Sequence, residues 1–143
     1  MARVSVDLPD RFPFETKLSI RIGDINYGGH LGNDTVLTLV HECRVQFLSH
    51  LGFSEVDVGG VGIIQVDAAV VYTSEAFYGE TARVQVAAAL EGRSSFDLLY
   101  RLSEPESDRE IARVKTGIAF YNYESRKIAR IPGDFRDAIA GLD

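Results

Sequence analysis

One long helical repeat runs through residues 34 to 51 of this chain. Val36, Val40, Cys43, Phe47 and Leu51 recur at helical spacing, and Leu37, Leu39 and Leu48 widen the apolar stripe. At 1.5 Å per residue the helix is ~27 Å long. A stripe this wide needs cover on several sides, so the helix is expected to be embraced by other elements. Asn33 or Asp34 is a natural N-cap, and an acidic side chain there complements the dipole. His50, Gly52 and Phe53 read as a glycine-capped end.

The rest of the chain alternates with period two. Thr16, Leu18, Ile20 and Ile22 mark a strand before the helix. After Gly59, Gly60 and Gly62 come four more apolar faces. They are Ile64 to Tyr72, Val84 to Leu90, Phe96 to Leu102, and Val114 to Phe120. The turns at Glu91-Gly92-Arg93, Pro105 to Arg109 and Asn122 to Arg126 are short, and short turns join antiparallel neighbours. A short helix near Asp134 to Ala140 ends the chain, and Met1 to Pro13 is an irregular lead-in. One long helix on a five-stranded, largely antiparallel sheet is an α+β domain, here a single one over residues 1–143. The other face of the strands carries Ile63, Ala69, Val71, Ala87, Ala89, Leu99 and Ala119. That face is too apolar to stand free, so a homodimer or homotetramer is expected to bury part of it.

The net charge of −6 and pI near 5.0 argue against a general nucleic-acid surface. One cysteine excludes an internal disulfide and fits a reducing compartment. The first residues lack a signal-peptide core, and no apolar run approaches the ~20 residues of a membrane span. The expected location is the cytoplasm.

Between the first strand and the helix, R-I-G-D-I-N-Y-G-G-H-L-G-N gathers Asp24, Asn26, His30 and Asn33 with Gly28, Gly29 and Gly32. Polar groups this dense at a strand-to-helix junction suit a site on a rigid scaffold. The glycines let the backbone approach a ligand, and the helix start offers free N–H groups. As a calcium loop the stretch fails, because the twelfth position is Thr35 and the fifth is Gly28. His41-Glu42 opens a zinc-protease motif, but Val45 stands where the second histidine belongs. His30, His41, His50 and Cys43 have no zinc spacing, and no metal is expected. There is no G-x-S-x-G elbow or phosphate-binding P-loop.

The ordered set of strand, D-x-[DN]-x-x-G-H-x-x-N, helix and four strands resembles the hotdog-fold acyl-CoA thioesterases of the 4-hydroxybenzoyl-CoA thioesterase type. Arg44, Phe47, Leu48 and Gly52 match the end of that family's helix. Tyr72 to Glu80 is similar to its Y-x-x-P-A-x-x-G-D, with departures at Ser74-Glu75 and Glu80. The Gly92-Arg93-Ser94-Ser95 turn and the late Arg126, Ile131 and Pro132 follow its remaining landmarks. The resemblance implies a sheet wrapped around the helix, and dimers joined edge to edge with sites at the interface. It implies hydrolysis of a thioester of coenzyme A or of a carrier protein, with no cofactor beyond the coenzyme A of the substrate. The carbonyl would lie against the helix start, with Asp24, Asn26 and His30 as catalytic residues and Gly29, Asn33, Arg93 and Ser94 binding substrate. One departure matters: the family's catalytic carboxylate falls at Asn26, and an amide is neither base nor nucleophile. Asp24, Glu42 or Asp67 would have to replace it. Two other readings stay open, a non-catalytic acyl-CoA-binding or sensing module and an enoyl-thioester hydratase.

Overall fold

In the computed structural model, which describes residues 1–142, the alternating runs pair into one antiparallel sheet. Its strands are β1 (Phe14–Ser19), β2 (Gly62–Tyr72), β3 (Thr81–Glu91), β4 (Ser95–Glu104) and β5 (Arg109–Asn122), in the spatial order β1-β3-β4-β5-β2. A two-residue β6 (Lys127–Ile128) adds to the end of β5. The long helix, α1 (Asn33–His50), and the terminal α2 (Gly133–Ala140) fall where the periodicity places them.

The sheet curls around α1, as in a hotdog fold. Val36, Leu39, Val40, Cys43, Phe47 and Leu48 are buried on the helix. They meet the inward rows Ala82, Val84 and Val86 of β3, Phe96, Leu98, Tyr100 and Leu102 of β4, and Val114, Ile118 and Phe120 of β5. Phe135 of α2 closes the far end, with ring centroids 4.8 Å from Phe96 and 5.2 Å from Phe120. One ridge of α1 stays outside this wrap and exposes Thr38, His41, Glu42 and Val45.

Three details differ from the sequence expectation. The first strand stops at Ser19, because Ile22–Asp24 coil into a 3-10 turn. Ile20 remains buried while Ile22 is 72% exposed. In β2 an irregularity between Gln65 and Asp67 leaves Val66 unpaired, a β-bulge. Period-two counting therefore fails across it. Ile63 and Gln65 sit opposite the inward-facing Phe120 and Ile118, while Ile64 and Val66 turn outward.

The third difference concerns the outer face. The lead-in lies on it, with Val6 buried and its carbonyl accepting an Arg113 Nη1–H bond. Pro9, Arg11 and Pro13 line a groove there with Ala87, Leu99 and α2's Ile139. Ion pairs such as Lys115–Asp67, Arg101–Glu110 and Arg113–Glu110 cross the remainder. The chain thus covers much of this face itself. Among the described residues the sheet has two edge strands, β1 and the longer β2, which runs eleven residues and exposes Ile64 and Val66.

Candidate active site

The strand-to-helix loop is held by its own polar groups. Asp24 is 8% exposed, and its Oδ2 accepts the Arg21 N–H at 2.8 Å, closing the 3-10 turn. The Asp24 carbonyl accepts the Gly32 N–H at 3.0 Å. Asn26 Oδ1 accepts the Gly28 N–H at 2.9 Å, an Asx turn, and its backbone N–H donates to the His30 carbonyl. Gly29 stands at φ 83°, a conformation that favours glycine. His30 Nδ1 lies 3.2 Å from the Leu31 carbonyl.

The N-cap of α1 is Gly32, not Asn33 or Asp34, and it contributes no side-chain bond. A Cβ at Gly32 would stand 2.9 Å from Asp34 Oδ1, so a larger residue there would push that side chain aside. With no capping side chain, the N–H groups of Asn33 and Asp34 have no acceptor among the described residues and remain open. Asn33, the first helical residue, accepts the Tyr72 hydroxyl on its carbonyl at 3.0 Å.

Three clefts surround α1. One of about 300 Å³ is lined by Leu18, Ser19, Arg21, Asp24, Thr38, Leu39 and Glu42. A second of about 220 Å³ is lined by His30 and Asn33 with Tyr72 to Glu75. Asp24 and His30 therefore flank the helix start from opposite sides, and Asn26 lines neither cleft. Glu42 joins Asp24, whereas Asp67 is on the outer face, bound to Lys115 at 2.7 Å. Arg93 and Ser94 follow the far end of β3, and Thr81 at its near end pairs with Ser19 beside the loop. At ~3.3 Å per residue the strand separates the two ends by ~33 Å.

The third cleft, about 390 Å³, is lined by Leu37, Thr38, His41, Arg44 and Gln65. His41 Nε2 lies 2.7 Å from Glu55 Oε1. Arg44 Nε donates to Glu55 Oε2 at 2.8 Å, and its Nη1 donates to Gln65 Oε1 at 2.8 Å. Burial works to raise the Glu55 carboxyl, but the bonds from His41 and Arg44 prevail and hold it below its ordinary 4.5. The sequence carried one signal of this network, a charged Arg44 beside the apolar stripe. Beneath it, the Tyr100 hydroxyl and Thr116 Oγ1 are buried close to one another. Cys43 is also buried, which pushes its thiol up to about 12, with Glu42 adding to the effect. Among the described residues no three His, Cys, Asp or Glu side chains stand close enough to hold a metal ion.

The profile of the thioesterase-like superfamily matches residues 20–139, which take in the loop, α1, the four later strands and most of α2. The chain belongs to the thioesterase-like superfamily. Solved structures of the same fold include a 1,4-dihydroxy-2-naphthoyl-CoA thioesterase from Synechocystis, at 24% identity and a TM-score of 0.83 over 91% of this chain and 97% of that one. A gentisyl-coenzyme A thioesterase aligns at 18% identity and a TM-score of 0.78, covering 88% of this chain and 99% of that one. A Staphylococcus aureus protein solved in complex with CoA aligns at 16% identity and 0.82, covering 96% and 87%. No curated protein is significantly similar in sequence. Membership in the superfamily supports thioester hydrolysis in general, and no helix among the described residues is long and apolar enough to cross a membrane.

Proposed function

We propose that this thioesterase-like protein hydrolyses acyl-CoA thioesters in the manner of the 4-hydroxybenzoyl-CoA type, with the thioester carbonyl seated at the amide end of α1. The observation that carries the reading is that the Asn33 and Asp34 N–H groups are open between two clefts holding Asp24 and His30. Fixed N–H donors at a developing oxyanion are worth about 10²–10³ in rate. Gly29, held with Asn26 in the Asx turn, lets the loop backbone approach the thioester. His30 adds a donor on one side. Asp24 Oδ1 accepts no bond among the described residues, so it is the loop's own candidate base.

The working unit in this reading is a homodimer joined through the β2 edges. β2 runs from the Arg93 end of the sheet to the Asp24 end, since Gly62 and Ser95 lie level with Tyr121 and Ala119 of β5. Antiparallel pairing of two β2 strands places one protomer's Arg93 and Ser94 beside its partner's loop. There they can meet the phosphates of coenzyme A, which the ~33 Å separation denies them within one chain.

Free-thiol release from short to long acyl-CoAs, and from acylated carrier protein, tests the reading. The expected result is turnover on a subset of the CoA thioesters, and no release from any of them removes it. Tight acyl-CoA binding without release would mark the protein as a binding module, a reading favoured by Asn26 being engaged in the Asx turn where a carboxylate would attack.

A further inference from the structure

We propose that His41, held by Glu55, takes the proton from the attacking water; this rests on the thioesterase reading and supplies the base that Asn26 lacks. The Glu55 carboxylate can only accept, so the His41 nitrogen 2.7 Å away, Nε2, carries the hydrogen. Nδ1 then presents its lone pair. It has no partner among the described residues, and the His41 side chain lines the 390 Å³ cleft. A carboxylate fixing one imidazole nitrogen while the other stays free is the arrangement that general-base histidines need.

The holder is itself held. Both Glu55 oxygens are engaged, one by His41 and one by Arg44 through Nε and Nη2, at 2.8 and 2.7 Å. Arg44, buried and tied to Gln65, cannot swing away. The charged groups around His41 are Glu55 from the loop after α1 and Arg44 and Glu42 of α1, while β2 contributes only the neutral Gln65. Asp24 is the weaker candidate. One of its oxygens holds the 3-10 turn, and among the described residues no second side chain orients the carboxylate toward a water.

His41 lies eight residues beyond Asn33, ~12 Å along the helix, too far to serve the amide end of its own α1. The dimer removes this obstacle. α1 is laid antiparallel along β2, since Asn33 is tied to Tyr72 and Arg44 to Gln65. A two-fold axis that reverses β2 also reverses α1, and in the register this proposal requires, with the axis level with Leu37 midway between Asn33 and His41, each His41 comes alongside the amide end of its partner's helix. Nδ1 removes a proton from water as the water oxygen bonds to the carbonyl carbon. The tetrahedral intermediate then collapses, the C–S bond breaks, and the proton passes from Nδ1 to the departing thiolate. Acid and free thiol result.

The test follows thiol release against pH in the parent, His41→Gln, His41→Asn, Glu55→Gln and Asp24→Asn. His41 is an exposed ridge residue, so its variants are expected to melt with the parent. We expect the His41 variants to lose about 10²–10⁴ in kcat, with little change in KM, and to lose the imidazole inflection from the pH profile. Glu55→Gln should lower kcat less than the His41 variants do and leave KM unchanged, because it loosens the hold on the imidazole without removing it. Asp24→Asn should lose less than His41→Gln. If both His41 variants retain activity within about threefold, or if Asp24→Asn is the more damaged, His41 is not the base while hydrolysis stands. A parent that releases no thiol refutes the thioesterase reading itself, and the proposal with it.

Discussion

Arg44 and Glu55 show how a single pair can serve stability and chemistry together. The Arg44 side chain is 9% exposed and that of Glu55 27%, so breaking the pair leaves a guanidinium partly buried without its counter-charge. Glu55→Ala should cost about 2 kcal/mol in urea unfolding. The pair also sets an acid limit. The folded Glu55 carboxyl lies below 4.5, so its contribution is complete above that pH and disappears as the pH falls through the lower folded value. Glu55→Gln should therefore flatten the loss of stability below about pH 4.5, measured by denaturant titration across that window. Cys43, raised to about 12 and fully buried, should resist alkylation in the native protein and react quickly once it is unfolded.

At the level of elements, the sequence was readable wherever one period held from end to end. α1 keeps its stripe from Val36 to Leu48 and starts within one residue of expectation. β4 alternates without interruption from Phe96 to Leu102. The loop's polar residues were visible too, but their division between two clefts was not, because bond partners three residues apart leave no periodic trace. The Arg44–Gln65 bond was hidden for a different reason: Val66 reverses which side chains face inward, and nothing in its own chemistry announces that. Being unpaired and exposed, Val66 is also where the β2 edge can be blocked with little effect on folding. Val66→Lys should yield a monomer by sedimentation velocity, with unchanged circular dichroism and no thiol release.

Across the whole molecule, the division of labour is between two ends of one sheet. The loop and the α1 amides lie at one end, and Arg93, Ser94 and the anchor of α2 at the other. Arg93→Ala should raise KM for acyl-CoA roughly tenfold and leave kcat unchanged, because it removes a contact to the non-reacting part of the substrate. The apolar outer face pointed from sequence to an oligomer, yet the lead-in and α2 cover much of it within one chain. Residue counting could not show that, since a segment without periodicity gives no sign of where it docks. Removing residues 1–8 should cost about 2 kcal/mol, chiefly the buried Val6, while thiol release persists.

The bulge at Val66 has a bearing on which length changes this protein can survive. An extra residue inserted before Gly62 would be taken up by the glycine-rich approach. The same insertion between Ile63 and Gln65 would invert the start of the strand, sending Ile63 to water. The molecule should therefore accept insertions up to the threshold of that strand and none across it.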